Sequence, residues 1–135
     1  MTTASASTRL PVTADKAWQL VGGFDSLPDW LPFIVNSEAM EGGRLRKLTT
    51  ADGGVVIERL EAFDNAARTY TYSISEGPFP VTGYRATLQL ESVGENETLV
   101  TWSGSFTPVG ISDSEAEALF RGIYEGGLTA LQANF

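Results

Sequence analysis

Three features predict an α+β fold. Apolar residues alternate with polar ones in successive segments, Gly/Asp/Asn turn chemistry joins those segments, and one long helical period closes the chain. Together they predict a strongly curved, seven-stranded antiparallel sheet wrapped around a long C-terminal helix, with two short helices after the first strand.

The elements follow in order. Thr8, Leu10 and Val12 alternate with Arg9 and Pro11. That reads as a short edge strand, because a Pro fits an edge better than a central position. Thr13 caps a helix with Asp15 in its first turn; Ala14, Trp18 and Val21 share a face, and Gly22-Gly23 ends it. Ser26 opens a very short second helix near Leu27-Pro28-Asp29-Trp30, which Pro32 stops. Strands are expected near Ile34–Glu41, Arg44–Thr50, Val55–Ala62, Arg68–Ser75, Val81–Glu91 and Thr98–Thr107. Short turns such as Gly42-Gly43, Asp52-Gly53-Gly54 and Asp64-Asn65 make this an antiparallel meander. Tyr70, Tyr72 and Ile74 share one face, as do Tyr84, Ala86, Leu88 and Leu90, and Val100, Trp102 and Phe106. Ser114 with Glu117 reads as a capping box. Phe120, Tyr124, Leu128, Leu131 and Phe135 then follow at helical spacing. Gly126-Gly127 lies mid-helix, where each Gly costs roughly 1 kcal/mol relative to Ala. A close backbone approach, a kink or room for a ligand would offset that cost.

Composition narrows function. The 135 residues read as one domain over 1–135. The formal net charge of −8 disfavours nucleic acid and anionic lipid surfaces. With no Cys and no His there are no disulfides, no thiolate or imidazole nucleophile and no ordinary zinc site. No apolar stretch is long enough for stable membrane insertion, and the first residues carry no signal pattern, so a cytoplasmic location is expected.

The order of motifs resembles the START-like superfamily, also called SRPBCC or helix-grip. The motifs are Phe24-Asp25-Ser26-Leu27-Pro28-Asp29-Trp30, Gly43-Arg44-Leu45-Arg46 with Asp52-Gly53-Gly54, Glu58-Arg59-Leu60-Glu61-Ala62-Phe63-Asp64, Arg68 to Ile74, and Pro78-Phe79-Pro80-Val81-Thr82-Gly83-Tyr84. The chain is most similar to small bacterial proteins of the polyketide cyclase/dehydrase and lipid transport group. The resemblance extends to plant abscisic acid receptors. It implies a gate at Ala51–Gly54, a cavity glutamate at Glu58, a latch at Phe79–Val81 and a polar cavity tyrosine at Tyr84. It also implies cavity-facing Tyr72 and Ile74, and a helical cavity face of Phe120, Tyr124 and Leu128. The lysine that holds the hormone carboxylate falls at Val35, and a helical asparagine falls at Leu128, so hormone binding does not transfer.

The functional expectation is a cavity between sheet and C-terminal helix that binds or carries an apolar or aromatic small molecule, lipid or polyketide-like. No cofactor is expected. Glu58 and Tyr84 would orient the polar end of the ligand. Tyr72, Phe79, Trp102, Phe120 and Tyr124 would supply walls, with Trp30, Tyr70, Ile74 and Leu128 also on the site, and Ala86, Gly104 and Gly127 would leave space. The competing reading is a solid core packed by the same residues. Glu58 is either buried beside Tyr84 or a solvated strand residue paired with Arg46. Trp30 is either at the cavity mouth or a plug between helix and sheet. Arg44, Arg46 and Lys47 form the only basic cluster; it either attracts an acidic ligand group or is a solvated strand face, and the second reading is preferred. Asp113, Glu115 and Glu117 read as helix N-terminal electrostatics rather than a metal site. Two alternatives use the same residues: a cyclase or dehydratase with Glu58 and Tyr84 as acid and base, and a protein-interaction module, or a homodimer, governed by the Phe79–Val81 segment.

Overall fold

The structure is a computed structural model describing residues Met1–Phe135. The elements are β1 (Thr2–Leu10), α1 (Ala14–Val21), a 3₁₀ turn (Leu27–Asp29), β2 (Ile34–Met40), a one-turn 3₁₀ link (Glu41–Gly43), β3 (Leu45–Thr50), β4 (Val55–Asp64), β5 (Thr69–Glu76), β6 (Val81–Gly94), β7 (Glu97–Pro108) and α2 (Asp113–Gln132). The strands form one seven-stranded sheet in the order β1-β7-β6-β5-β4-β3-β2, every neighbour antiparallel. Sequential strands pair as hairpins, and β1 closes the order by pairing with the last strand.

Curvature comes from interruptions of the ladder. Register shifts occur at Ile34/Asn36, Ile57/Glu58, Leu60/Ala62 and Thr82/Arg85. Bulges of this kind bend a strand and increase its twist. At Thr82/Arg85 the bend includes Gly83 with φ +63°, a conformation that costs a β-branched residue dearly. The concave face carries the aromatic and aliphatic residues, and the convex face is lined by Ser and Thr hydroxyls, including the Thr71–Thr87 pair at 2.8 Å. α2 packs into the concavity, chiefly against β1 and β7. Phe120, Tyr124, Leu128 and Leu131 are all buried on that contact. No helix is long and apolar enough to cross a membrane.

The first strand is longer than the sequence pattern predicts. It begins at Thr2 and ends at Leu10, because the N-terminal residues Thr2–Ser7 find a complete ladder along β7. Their small polar side chains carry little periodic signal, and long-range pairing overrides their weak strand preference. The capping box of α2 also lies two residues earlier than expected. Ser112 Oγ accepts from Glu115 N at 3.1 Å, and Ser112 N donates to Glu115 Oε1 at 3.2 Å. Glu117 instead pairs with Arg121 one turn on.

The small residues expected to leave space are filled by large neighbours. A Cβ at Gly127 would meet the Trp102 ring at 2.7 Å and Leu31 Cδ1 at 3.1 Å. Gly104 lies directly beneath the Tyr124 hydroxyl. Of the three offsets for a mid-helix glycine, close approach is the one realised at Gly127. Gly126 faces open space and has no such contact. Gly127→Ala should therefore destabilise by about 1–3 kcal/mol through overpacking. Gly126→Ala should stabilise by up to about 1 kcal/mol through helix propensity. Denaturant midpoints of the two variants measure both, and equal effects would refute the assignment of the close approach to Gly127.

Candidate functional site

The site is built on the β3–β4 hairpin. Its turn is closed by Thr50 N to Gly54 O at 2.9 Å and Gly54 N to Thr50 Oγ1 at 2.9 Å, with Gly53 at φ +89°. This turn sets the register in which Arg46 lies directly opposite Glu58. Arg46, Leu48 and Thr50 all point inward, as do Val56 and Glu58. Directly opposed residues share a face, so a buried Glu58 carries its partner inside with it.

Arg46 is 1% exposed and Glu58 7%. Arg46 Nε donates to Glu58 Oε1 at 2.8 Å, and Nη2 lies 2.6 Å from the same oxygen. Nη1 donates to the Phe24 carbonyl at 2.6 Å. The guanidinium also stands 4.1 Å from the Phe24 ring centroid and 5.0 Å from that of Tyr72. The basic cluster read as a solvated strand face is thus divided: Arg44 and Lys47 are exposed, while Arg46 is interior. Burial pushes the Glu58 carboxyl above its ordinary range, and the Arg46 charge offsets only part of that rise. Burial alone would lower the Arg46 pKa, but Glu58 together with Tyr70 and Tyr72 outweighs it and the guanidinium stays charged. Both contacts fall on Oε1. Oε2 has no partner in the protein, and it is not sealed from the space in front of it.

A second polar set lies beyond the pair. Trp102 Nε1 donates to Tyr72 Oη at 3.0 Å, and the Tyr84 and Tyr124 hydroxyls share a hydrogen bond of 2.5 Å. The expected partnership of Tyr84 with Glu58 is therefore replaced: Glu58 pairs with Arg46, and Tyr84 with Tyr124. Burial raises the pKa of all three tyrosines, so their hydroxyls remain protonated.

Between these groups and α2 lies an interior cavity of about 70 Å³. Glu58, Tyr72, Ile74, Phe79, Tyr84, Trp102 and Phe120 line it. Trp30, Tyr70, Ala86, Tyr124, Gly127 and Leu128 do not reach it and pack in the layer behind. Trp30 is 2% exposed and edge-on to Trp102, at 6.0 Å between centroids, so it is a plug and not a mouth residue. Its Nε1 is the one buried side-chain polar atom without a partner. Tyr70 packs among Trp18, Phe24 and Phe63. Tyr124 and Gly127 are separated from the cavity by Trp102, which stacks on Tyr124 at 4.8 Å. Ala86 abuts Gly104, and Leu128 is buried in the core. Sequence reasoning missed Arg46, Leu31, Phe33, Val56 and Ile123 as lining residues. Only Arg46 had a legible signal, its mirror position to Glu58 about the Asp52-Gly53 turn.

The cavity has an outer neighbour. A surface cleft of about 640 Å³ lies between the Thr50–Gly54 turn, Pro78-Phe79 and α2, and it shares Phe33, Thr50, Val56, Phe79 and Ile123 with the interior space. Phe79 packs on Phe120 at 5.3 Å between centroids, which makes it part of the partition between the two. Phe33 is 50% exposed at the rim.

The ion pair yields two predictions. Arg46→Met leaves a buried carboxylate unpaired and should cost about 3–5 kcal/mol, most of it recovered in Arg46→Met/Glu58→Leu. Chemical denaturation of the single and double variants checks this. The second concerns pH. A folded-state pKa above the ordinary 4.5 means that the native state binds this proton more tightly than the unfolded chain. Stability from this group is complete below the unfolded value and is lost as pH rises through the raised one. The stability of the native protein relative to Glu58→Gln should therefore fall as pH increases above about 4.5, measured by urea midpoints across pH. Asp52 and Glu115 have lowered pKa values and act in the opposite sense, but both proteins share them, so they cancel in the difference.

Comparison with known proteins agrees with this architecture. Residues 1–135 match the family described as polyketide cyclase/dehydrase and lipid transport. The structure of the protein XoxI from Bacillus cereus is 51% identical, with a TM-score of 0.97 over 100% of this chain and 96% of that one. An uncharacterised protein from Bacillus thuringiensis is also 51% identical, with a TM-score of 0.97 over 98% of each chain. A START superfamily protein from Mycobacterium smegmatis is 17% identical over 98% of this chain and 95% of that one, and its TM-score of 0.80 speaks for the fold alone. No curated protein matches. The match over the whole length places this chain in the polyketide cyclase/dehydrase and lipid transport family.

Proposed function

We propose that this protein binds and carries an apolar or aromatic small molecule between its sheet and α2. The observation that carries this reading is the interior cavity itself. It has aromatic and aliphatic walls, one unpartnered carboxylate oxygen, and a surface cleft on the other side of Phe79. Small-molecule sites generally combine apolar walls with a few placed polar groups in this way. The inner space, about 70 Å³, is smaller than the roughly 150 Å³ cavity known to take up benzene. Binding therefore requires the Phe79 partition to move and join the two spaces.

A neutral fluorescent probe such as N-phenyl-1-naphthylamine tests this. Saturable binding is expected. Phe79→Ala should raise the apparent affinity by about tenfold, because it removes the cost of opening. Val56→Phe, which adds bulk where the inner and outer spaces meet, should lower it by about tenfold while the protein remains folded by circular dichroism. Indifference of the probe to both variants would overturn the reading.

A second reading is acid–base chemistry, favoured by the cavity-facing Glu58 with its raised pKa. In it, Glu58 abstracts a proton next to a ligand carbonyl during a cyclisation or dehydration. Glu58→Gln should then abolish turnover of a linear poly-β-ketone while probe binding stays within about threefold. A pure carrier shows no turnover in either protein.

A further inference from the structure

We infer that the ligand enters head-first with a neutral hydroxyl, as in an alkylphenol, and that carboxylates are excluded. This inference rests on the binding reading above and narrows its chemistry.

The first argument is charge. Arg46 is the one cation lining the cavity, and each of its three nitrogens is engaged: Nε and Nη2 by Glu58, Nη1 by the Phe24 carbonyl. A ligand carboxylate would have to displace Glu58 or sit beside it. An ammonium head would compete with a guanidinium already 2.6 Å from the same carboxylate.

The second argument is hydrogen-bond capacity. Glu58 Oε2 is an acceptor without a donor in the protein, so it favours a ligand that supplies an N–H or O–H. The tyrosines supply the converse. Tyr72, Tyr84 and Tyr124 carry one hydroxyl proton each; the Tyr84–Tyr124 bond uses one of them, and Tyr72 accepts from Trp102. At least one phenolic proton is therefore left over, and Trp102 adds a donor to the set, not an acceptor. A site with a vacant acceptor and a surplus proton suits a group that both donates and accepts. A hydroxyl does so through one atom, whereas ethers, ketones and carboxylates only accept.

The third argument is shape. The inner space holds a head and not a whole amphiphile, and the outer cleft is about 640 Å³. Phe33 and Leu119, 50% and 38% exposed, stand along that cleft and would cover an apolar tail. The hydroxyl therefore points to Glu58 and the tail to the Phe33–Leu119 rim.

The test is a matched ligand series read by tryptophan fluorescence, since Trp102 lines the cavity. 4-Hexylphenol, 4-hexylanisole and 4-hexylbenzoate share the tail and ring. At neutral pH the phenol should bind about tenfold tighter than the anisole, and the benzoate no tighter than the anisole. Glu58→Gln presents an amide N–H₂ where Oε2 accepts and should narrow the phenol–anisole gap to about threefold or less. If that variant does not fold, the series on the native protein decides alone. Equal binding of phenol and anisole, a preference for the benzoate, or an unchanged gap in a folded Glu58→Gln would overturn the head-group assignment while leaving the cavity in place. Failure of all three ligands to bind both the native protein and Phe79→Ala would overturn the binding reading, and this inference with it.

Discussion

The guanidinium of Arg46 and the carboxylate of Glu58 meet on one rung of the β3–β4 hairpin, with almost no exposure to water. Taking two charges out of water costs several kcal/mol each, and apolar residues of the same volume would often serve stability as well. Core packing alone therefore gives little reason for this pair. What it does provide is a fixed polar point on an otherwise apolar wall. Arg46 is held from three sides, by Glu58, by the Phe24 carbonyl and by the face of Phe24. That grip ties β3 to the segment entering the 3₁₀ turn, so the hairpin and the rim of the cavity are mechanically one unit. It also leaves one oxygen of Glu58 free.

The rest of the interior is arranged around that point by aromatic size. Trp102 separates the cavity from Tyr124 and Gly127, and its indole N–H fixes the Tyr72 hydroxyl. Tyr84 and Tyr124 satisfy one another across the sheet–helix interface. The glycines beneath these rings do not create empty volume; they let large rings approach the backbone. The residual space is consequently narrow. Its extension runs outward past Phe79, which packs on Phe120 as part of the partition.

Alternation and turn chemistry gave the β2–β7 meander, the two short helical segments and the long closing helix directly, because each depends on local pattern, whereas the pairing of β1 with β7 does not. Half of the candidate site was legible for the same reason. Tyr72, Ile74, Tyr84 and Trp102 lie on faces that period-two alternation already separates from solvent, and Phe120 lies on the apolar stripe of α2. Other features depended on partners far along the chain. Thr2–Ser7 form a strand only because β7 is there to pair with them.

Which inward residues border space and which are covered was a tertiary decision. Alternation assigns a face and carries no information on what occupies the volume above that face. Trp30, Tyr70, Tyr124 and Leu128 have the same pattern as true lining residues, and only the placement of Trp102 and α2 puts them behind the wall. Arg46 shows the limit most plainly. Its charge predicts solvent, and the register of one hairpin, together with the burial of Glu58 opposite it, reverses that prediction. The sequence by itself determined the faces; the tertiary structure decided what fills the space between them, because packing volume is set by side chains that meet from distant elements.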